Sequence, residues 1–212
     1  PGLKPVEKAV SFHDYAACGV SVLAVLAARG DAEARALLDR VLDAADYYRS
    51  RIWNHEVPER GIWTVPLRRL LFHAALAARA LDGAATRGLR ERLAALVADQ
   101  VPAAIEHCGS FLPGRRDLHL AGVNNHTAIF MQGVWHCGDV FGRPAWKELA
   151  REFGERYLAS GHPDGYFEEH TNAEREGGPS MVYTPLTAGC LFDVLEGARR
   201  HRERFARAGD FF

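Results

Sequence analysis

The sequence holds almost no lysine. Lys4, Lys8 and Lys147 are the only lysines, so nearly all of the 26 basic residues are arginine. Arginine carries a planar fork that suits bidentate carboxylate recognition. GC-rich codon usage produces the same bias without any function. Neither charge sign is in excess: the formal net charge is -1, which argues against nucleic-acid binding through bulk charge.

Cysteine is sparse and scattered. Cys18, Cys108, Cys137 and Cys190 form no CxxC pair and no zinc-finger spacing, so buried free thiols are expected. Long apolar runs are missing too. The longest, Tyr15 to Ala28, is too short and too rich in Ala and Gly to span a bilayer, so no membrane partner is expected. No HExxH or similar metal spacing occurs, although His162, His170 and nearby carboxylates share a loop. No initiator Met or signal-like start precedes Pro1, and the tail ends on an aromatic pair, Phe211 and Phe212. Both ends read as those of a processed product or of one part of a longer chain.

What remains is helix after helix. Ser11 to Arg29 is apolar almost all round and reads as a buried helix. Gly30 stops it. Asp31 then caps a second helix to about Arg51, with Ala34, Leu37, Leu38, Val41, Leu42 and Ala45 on one face. Pro66 starts a third, to about Leu81, and a fourth runs from Thr86 to Asp99. Pro102 is expected to kink that helix or to start a short fifth piece. Later helices are expected at Asn125 to Val140, at Pro144 to Ala159, and from the Thr184-Pro185 cap to Arg202. Trp135 and Trp146 lie within this helical pattern and are expected in the core. A short strand is expected at Tyr166 to Glu168. Helical hairpins in series predict an all-α fold, an α/α toroid or a solenoid. The lack of a fixed-period repeat favours the toroid. Residues 1–212 read as a single such domain, short or incomplete.

Two loop ends carry the chemistry. The first is "VNNH", with Asn124, Asn125 and His126 where a helix opens. One asparagine is an ordinary cap. A helix N-terminus also favours a bound carboxylate and disfavours imidazolium, so His126 should be neutral and able to act as a base. The second is "REGGPSMVY", from Arg175 to Tyr183. A cation near tyrosine stabilises phenolate, and Gly177-Gly178 lets backbone approach a ligand. The plain alternative is a loop tyrosine packed on the next helix. Asp164, Glu168 and Glu169 are acidic candidates, and Asp164-Gly165 is equally a turn signal. Trp53, Trp63, Tyr166 and Phe167 are loop aromatics that could stack on sugar rings.

Together, "NNH" and the Arg-to-Tyr segment resemble the alginate-lyase-like and heparinase II/III-like polysaccharide lyases, over roughly Leu118 to Arg200. The Arg-to-Tyr spacing is slightly longer here, and the toroids of that family have more helices. The resemblance implies β-elimination on a uronic-acid polymer, alginate- or glucuronan-like, with no metal or cofactor and a periplasmic or secreted setting. It implies that His126 and Tyr183 are base and acid. Asn125 and Arg175 would neutralise the carboxylate, as preorganised donors do in such sites. Asn124, Trp53, Trp63, Tyr166 and His170 would bind substrate. Two rivals stand beside it: an α/α-barrel glycoside hydrolase using Asp164, Glu168 or Glu169, and a non-catalytic sugar-binding helical protein.

Overall fold

Chain direction reverses where Gly30, Gly83 and Gly142 interrupt the helical pattern, and each break separates one helix from the next. The computed structural model describes residues 5–52, 65–107, 125–169, 178–179, 183–196 and 201–210. Among these, the helices are α1 (Pro5–Ala28), α2 (Ala32–Ile52), α3 (Val65–Ala80), α4 (Arg87–His107), α5 (Asn125–Val140), α6 (Pro144–Ser160), α7 (Tyr183–Val194) and α8 (Arg202–Asp210). A short 3-10 turn at Ala84–Thr86 precedes α4. Two-residue strands β1 (Glu168–Glu169) and β2 (Gly178–Pro179) pair antiparallel. The fold is all-α.

Local signals account for several boundaries. The Asp31 carboxylate accepts the Ala34 N–H at 2.9 Å, which caps the start of α2. Pro144 opens α6 as a first-turn proline. Three expectations need correction. α1 begins at Pro5, and it is not buried all round: Val22 is 60% exposed, with Val25 and Leu26 also open. Pro102 neither ends α4 nor starts a new helix. Its missing N–H would have met the Ala98 carbonyl, and both residues are exposed, so water can take that carbonyl. The last helix stops at Val194 instead of Arg202, because Glu196 adopts a left-handed φ of 55°.

The chain divides into two compact units, 1–103 with 140–142, and 104–139 with 143–212. In the first, Ser21 on α1 meets His73 on α3, and Cys18 meets Arg69. The contacts run in the same order along both helices, so α1 and α3 lie parallel. Arg35 reaches the Ala85 carbonyl, and Arg92 reaches Asp39 and Asp43, so α2 and α4 also run in one direction. Val20, Ala24, Leu38, Leu42, Leu71 and Leu93 are buried between these helices. Ala74, Ala75, Ala77 and Ala78 are fully buried on α3, and such small side chains let neighbouring helices approach closely.

The second unit repeats this construction. Gln132 meets Cys190 and Asp193, and His136 meets Asp193, so α5 and α7 run parallel. His201 Nε2 lies 2.9 Å from Glu155 Oε2, and Arg204 lies against Gly161, so α8 follows α6. Phe130, Phe153, Tyr157 and Leu191 form the core here, each worth roughly 1.5–3 kcal/mol of burial. Between α5 and α6 the chain crosses so tightly that a Cβ on Gly138 would lie 2.9 Å from the Lys147 backbone nitrogen. Lys147 itself sits over the Trp135 ring and bonds Asp139. Burial opposes its charge, but Asp139 and Glu196 outweigh that and hold the ammonium above its ordinary pKa. Trp135 and Trp146, expected in the core, are only half-buried.

Candidate functional site

The parallel packing of α5 and α7 sets the level of their ends. Cys190 donates to the Gln132 side-chain oxygen at 3.4 Å, which places those two positions side by side. About two helical turns earlier, roughly 10 Å along each axis, α5 begins at Asn125 and α7 begins at Tyr183. The backbones of Asn125, His126 and Tyr183 therefore occupy the first turns of two neighbouring helices that open on the same end of one unit. A helix N-terminus carries backbone N–H groups that have no partner within the helix, and it is the positive pole of the helix dipole.

Thr184 fixes the approach to this end. Its buried hydroxyl lies 3.3 Å from the Phe167 nitrogen and 3.4 Å from the Phe167 oxygen, accepting from one and donating to the other. This is a tertiary tie and not the N-cap expected of Thr184, since α7 already begins at Tyr183. The β1–β2 pairing then holds the following chain, Glu168 against Pro179 and Glu169 against Gly178. The strand thus falls one or two residues later than expected.

Asn125 is 2% exposed. A carboxamide this enclosed reaches a ligand only as part of the floor of a cleft, so substrate contact is an exacting demand on it. The side chains of His126 and Tyr183, and all of Asn124, Arg175, Trp53, Trp63 and His170, lie outside the described residues. Tyr166 is half-buried and stacks on His162 with ring centroids 4.2 Å apart, so one ring face is already taken. Phe167 is 2% exposed and packs near Tyr157, which removes it as a sugar-stacking surface.

The acidic candidates separate from this end of the helices in character. Asp164 is largely exposed, in a tight turn where Gly165 takes a φ of 101° and donates to the His162 carbonyl. That is the turn signature read in the sequence. Glu168 and Glu169 are placed by their backbone only, in β1. Among the described residues no cluster of three or more His, Cys, Asp or Glu could hold a metal ion. No described helix is long and apolar enough to cross a membrane.

One polar network had escaped the sequence reading. His136 is buried, and its Nε2 lies 2.5 Å from Asp193 Oδ2. Gln132 donates to the same oxygen at 2.9 Å. The signal was present: Gln132 and His136 stand four apart on an otherwise apolar helix, so they share one face. Cys137 and Cys190 are buried free thiols as expected, and burial pushes the Cys137 thiol far above its ordinary pKa. Cys18 is only half-buried.

A scan against family models, a search of curated proteins and a search of solved structures each found no match.

Proposed function

We propose that this protein is a polysaccharide lyase that cleaves a uronic-acid polymer by β-elimination outside the cytoplasm. The observation that carries the reading is the α5–α7 register. It sets the backbones of His126 and Tyr183, distant in sequence, at one level on neighbouring helices. Alternate helices running parallel, as α1 with α3 and α5 with α7, are also what an α/α toroid requires.

The chemistry follows from that placement. A base removes the proton on C5, next to the uronate carboxylate. The electron pair forms the C4–C5 double bond, the C4–O4 bond breaks, and an acid protonates O4. His126 and Tyr183 supply base and acid. The C5 proton is weakly acidic until the carboxylate charge is neutralised, and donors fixed beforehand do this best. Arg175 and Asn125 take that role, aided by the positive ends of α5 and α7. Asn124, Trp53, Trp63, Tyr166 and His170 bind the chain.

The test is a screen of alginate, glucuronan and related polymers for the ultraviolet absorbance of the new conjugated double bond. Hydrolysis of a glycosidic bond yields no such chromophore. Release of reducing ends without it would favour the hydrolase. Binding without any cleavage would favour the sugar-binding protein.

A further inference from the structure

A second polar cluster stands in the other unit, on the facing sides of α1 and α3. Ser21 Oγ lies 2.9 Å from His73 Nδ1, and the same hydroxyl reaches back to the Cys18 carbonyl at 3.4 Å. Arg69 stands one turn before His73 on α3, and its guanidinium donates to the Cys18 sulfur at 4.0 Å. All four residues are half-buried. Among the described residues Arg69 has no carboxylate partner, whereas Arg92 on α4 has two.

Among the described residues this half-buried guanidinium has a weakly accepting thiol as its hydrogen-bond partner, which compensates it poorly. It retains donors in a planar fork that matches a carboxylate. The hydroxyl and imidazole one turn away can complete the shell around such an anion. Burial and the Arg69 charge both hold the His73 pKa below its ordinary value. Among the described residues, Arg69 on its own helix and Cys18 on α1 are the titratable or charged groups in this cluster. No described carboxylate offsets the guanidinium there.

We propose that Arg69, His73 and Ser21 form a carboxylate-binding subsite that takes a uronate residue of an anionic polysaccharide. The substrate class rests on the lyase reading, while the anion site rests on the α1–α3 geometry alone. A bound carboxylate supplies negative charge beside Arg69 and beside the imidazolium form of His73, so its binding and the protonation of His73 favour each other.

The experiment follows the His73 ring by NMR in the intact protein, with its resonance assigned by its loss in His73→Asn. Sodium glucuronate, inorganic phosphate and neutral methyl glucoside are the probes. Glucuronate is expected to raise the His73 pKa by about one pH unit, as a nearby opposite charge does. Methyl glucoside should leave it in place. Arg69→Gln should abolish the response, and Arg69→Lys should weaken it while keeping the charge. A His73 that ignores glucuronate, or answers only to phosphate, overturns the subsite. Elimination activity is read separately. A protein that answers to glucuronate but eliminates nothing keeps the subsite and loses the lyase reading. The reverse result removes the subsite and leaves the lyase.

Discussion

His136 and Asp193 meet at 2.5 Å between two parallel helices, and their contact sets which turn of α5 lies beside which turn of α7. Asp193 also accepts from Gln132, one turn earlier on α5. A single carboxylate therefore holds two rungs of the α5 face.

Replacing Asp193 with Ala should leave the buried His136 imidazole and the Gln132 amide short of their shared acceptor. The expected loss of stability is about 1–3 kcal/mol, read from urea unfolding midpoints. Asp193→Asn keeps one acceptor oxygen and should cost less. Equal losses in the two variants would mean that the shared acceptor contributes little.

His126→Ala and Tyr183→Phe should each lower elimination by roughly 10²–10⁴-fold, the usual weight of a general acid or base. Circular dichroism and unfolding midpoints should stay near wild type for Tyr183→Phe, which deletes one hydroxyl. Near-wild-type turnover in both variants would falsify the site assignment.

Two helical glycines should respond in opposite directions to alanine. A Cβ on Gly138 would press on the Lys147 backbone nitrogen at 2.9 Å and the Arg143 carbonyl at 3.0 Å. Backbone cannot step aside as a side-chain tip can, so Gly138→Ala should cost roughly 1–3 kcal/mol. Gly189 on α7 is exposed and meets nothing within 4 Å. Gly189→Ala should therefore stabilise by up to about 1 kcal/mol, through helix propensity and a less flexible unfolded chain. Thermal melts of the two variants should move to opposite sides of wild type.

His73 predicts a pH dependence. Its folded pKa lies below the ordinary 6.5, so the unfolded chain takes up the proton first as pH falls. Its contribution to stability is whole above pH 6.5 and is lost as pH falls from there to the folded value. His73→Gln should remove that part of the acid destabilisation. The check is the change in urea midpoint between a pH above 6.5 and one below it, compared in wild type and variant. An identical change in both would show that His73 carries none of it.

Helix ends were legible wherever one residue decides them locally. Asn125 to Val140 and the Pro144 start stand where the sequence puts them, and at Pro144 the cause is local, since a first-turn proline acts on its own backbone. Local cues failed where solvent or tertiary contact competed. At Pro102 the sequence allows a kink or a new helix, and α4 runs on through it to His107, where the exposed Ala98 leaves its carbonyl within reach of water. Thr184 reads as a cap, yet its hydroxyl is drawn to the Phe167 backbone. Val22 belongs to an apolar run that reads as buried, but periodicity does not say how many neighbours a helix has. For the site, "NNH" and Tyr183 were visible as helix openings. Gln132, His136 and Asp193 were not, because their meaning lies in a contact between residues some sixty positions apart.

The sequence by itself determined the all-α class, the order of the helices from α1 to α7 though not α8, and the residue types poised at the mouths of α5 and α7. Those follow from forces acting within a few residues: propensity, capping and the spacing of apolar side chains. Only the tertiary structure decided which helices lie side by side and in what register. Register depends on how two distant faces satisfy each other's polar groups, and here the Asp193 carboxylate and the Cys190–Gln132 contact match the faces of α5 and α7.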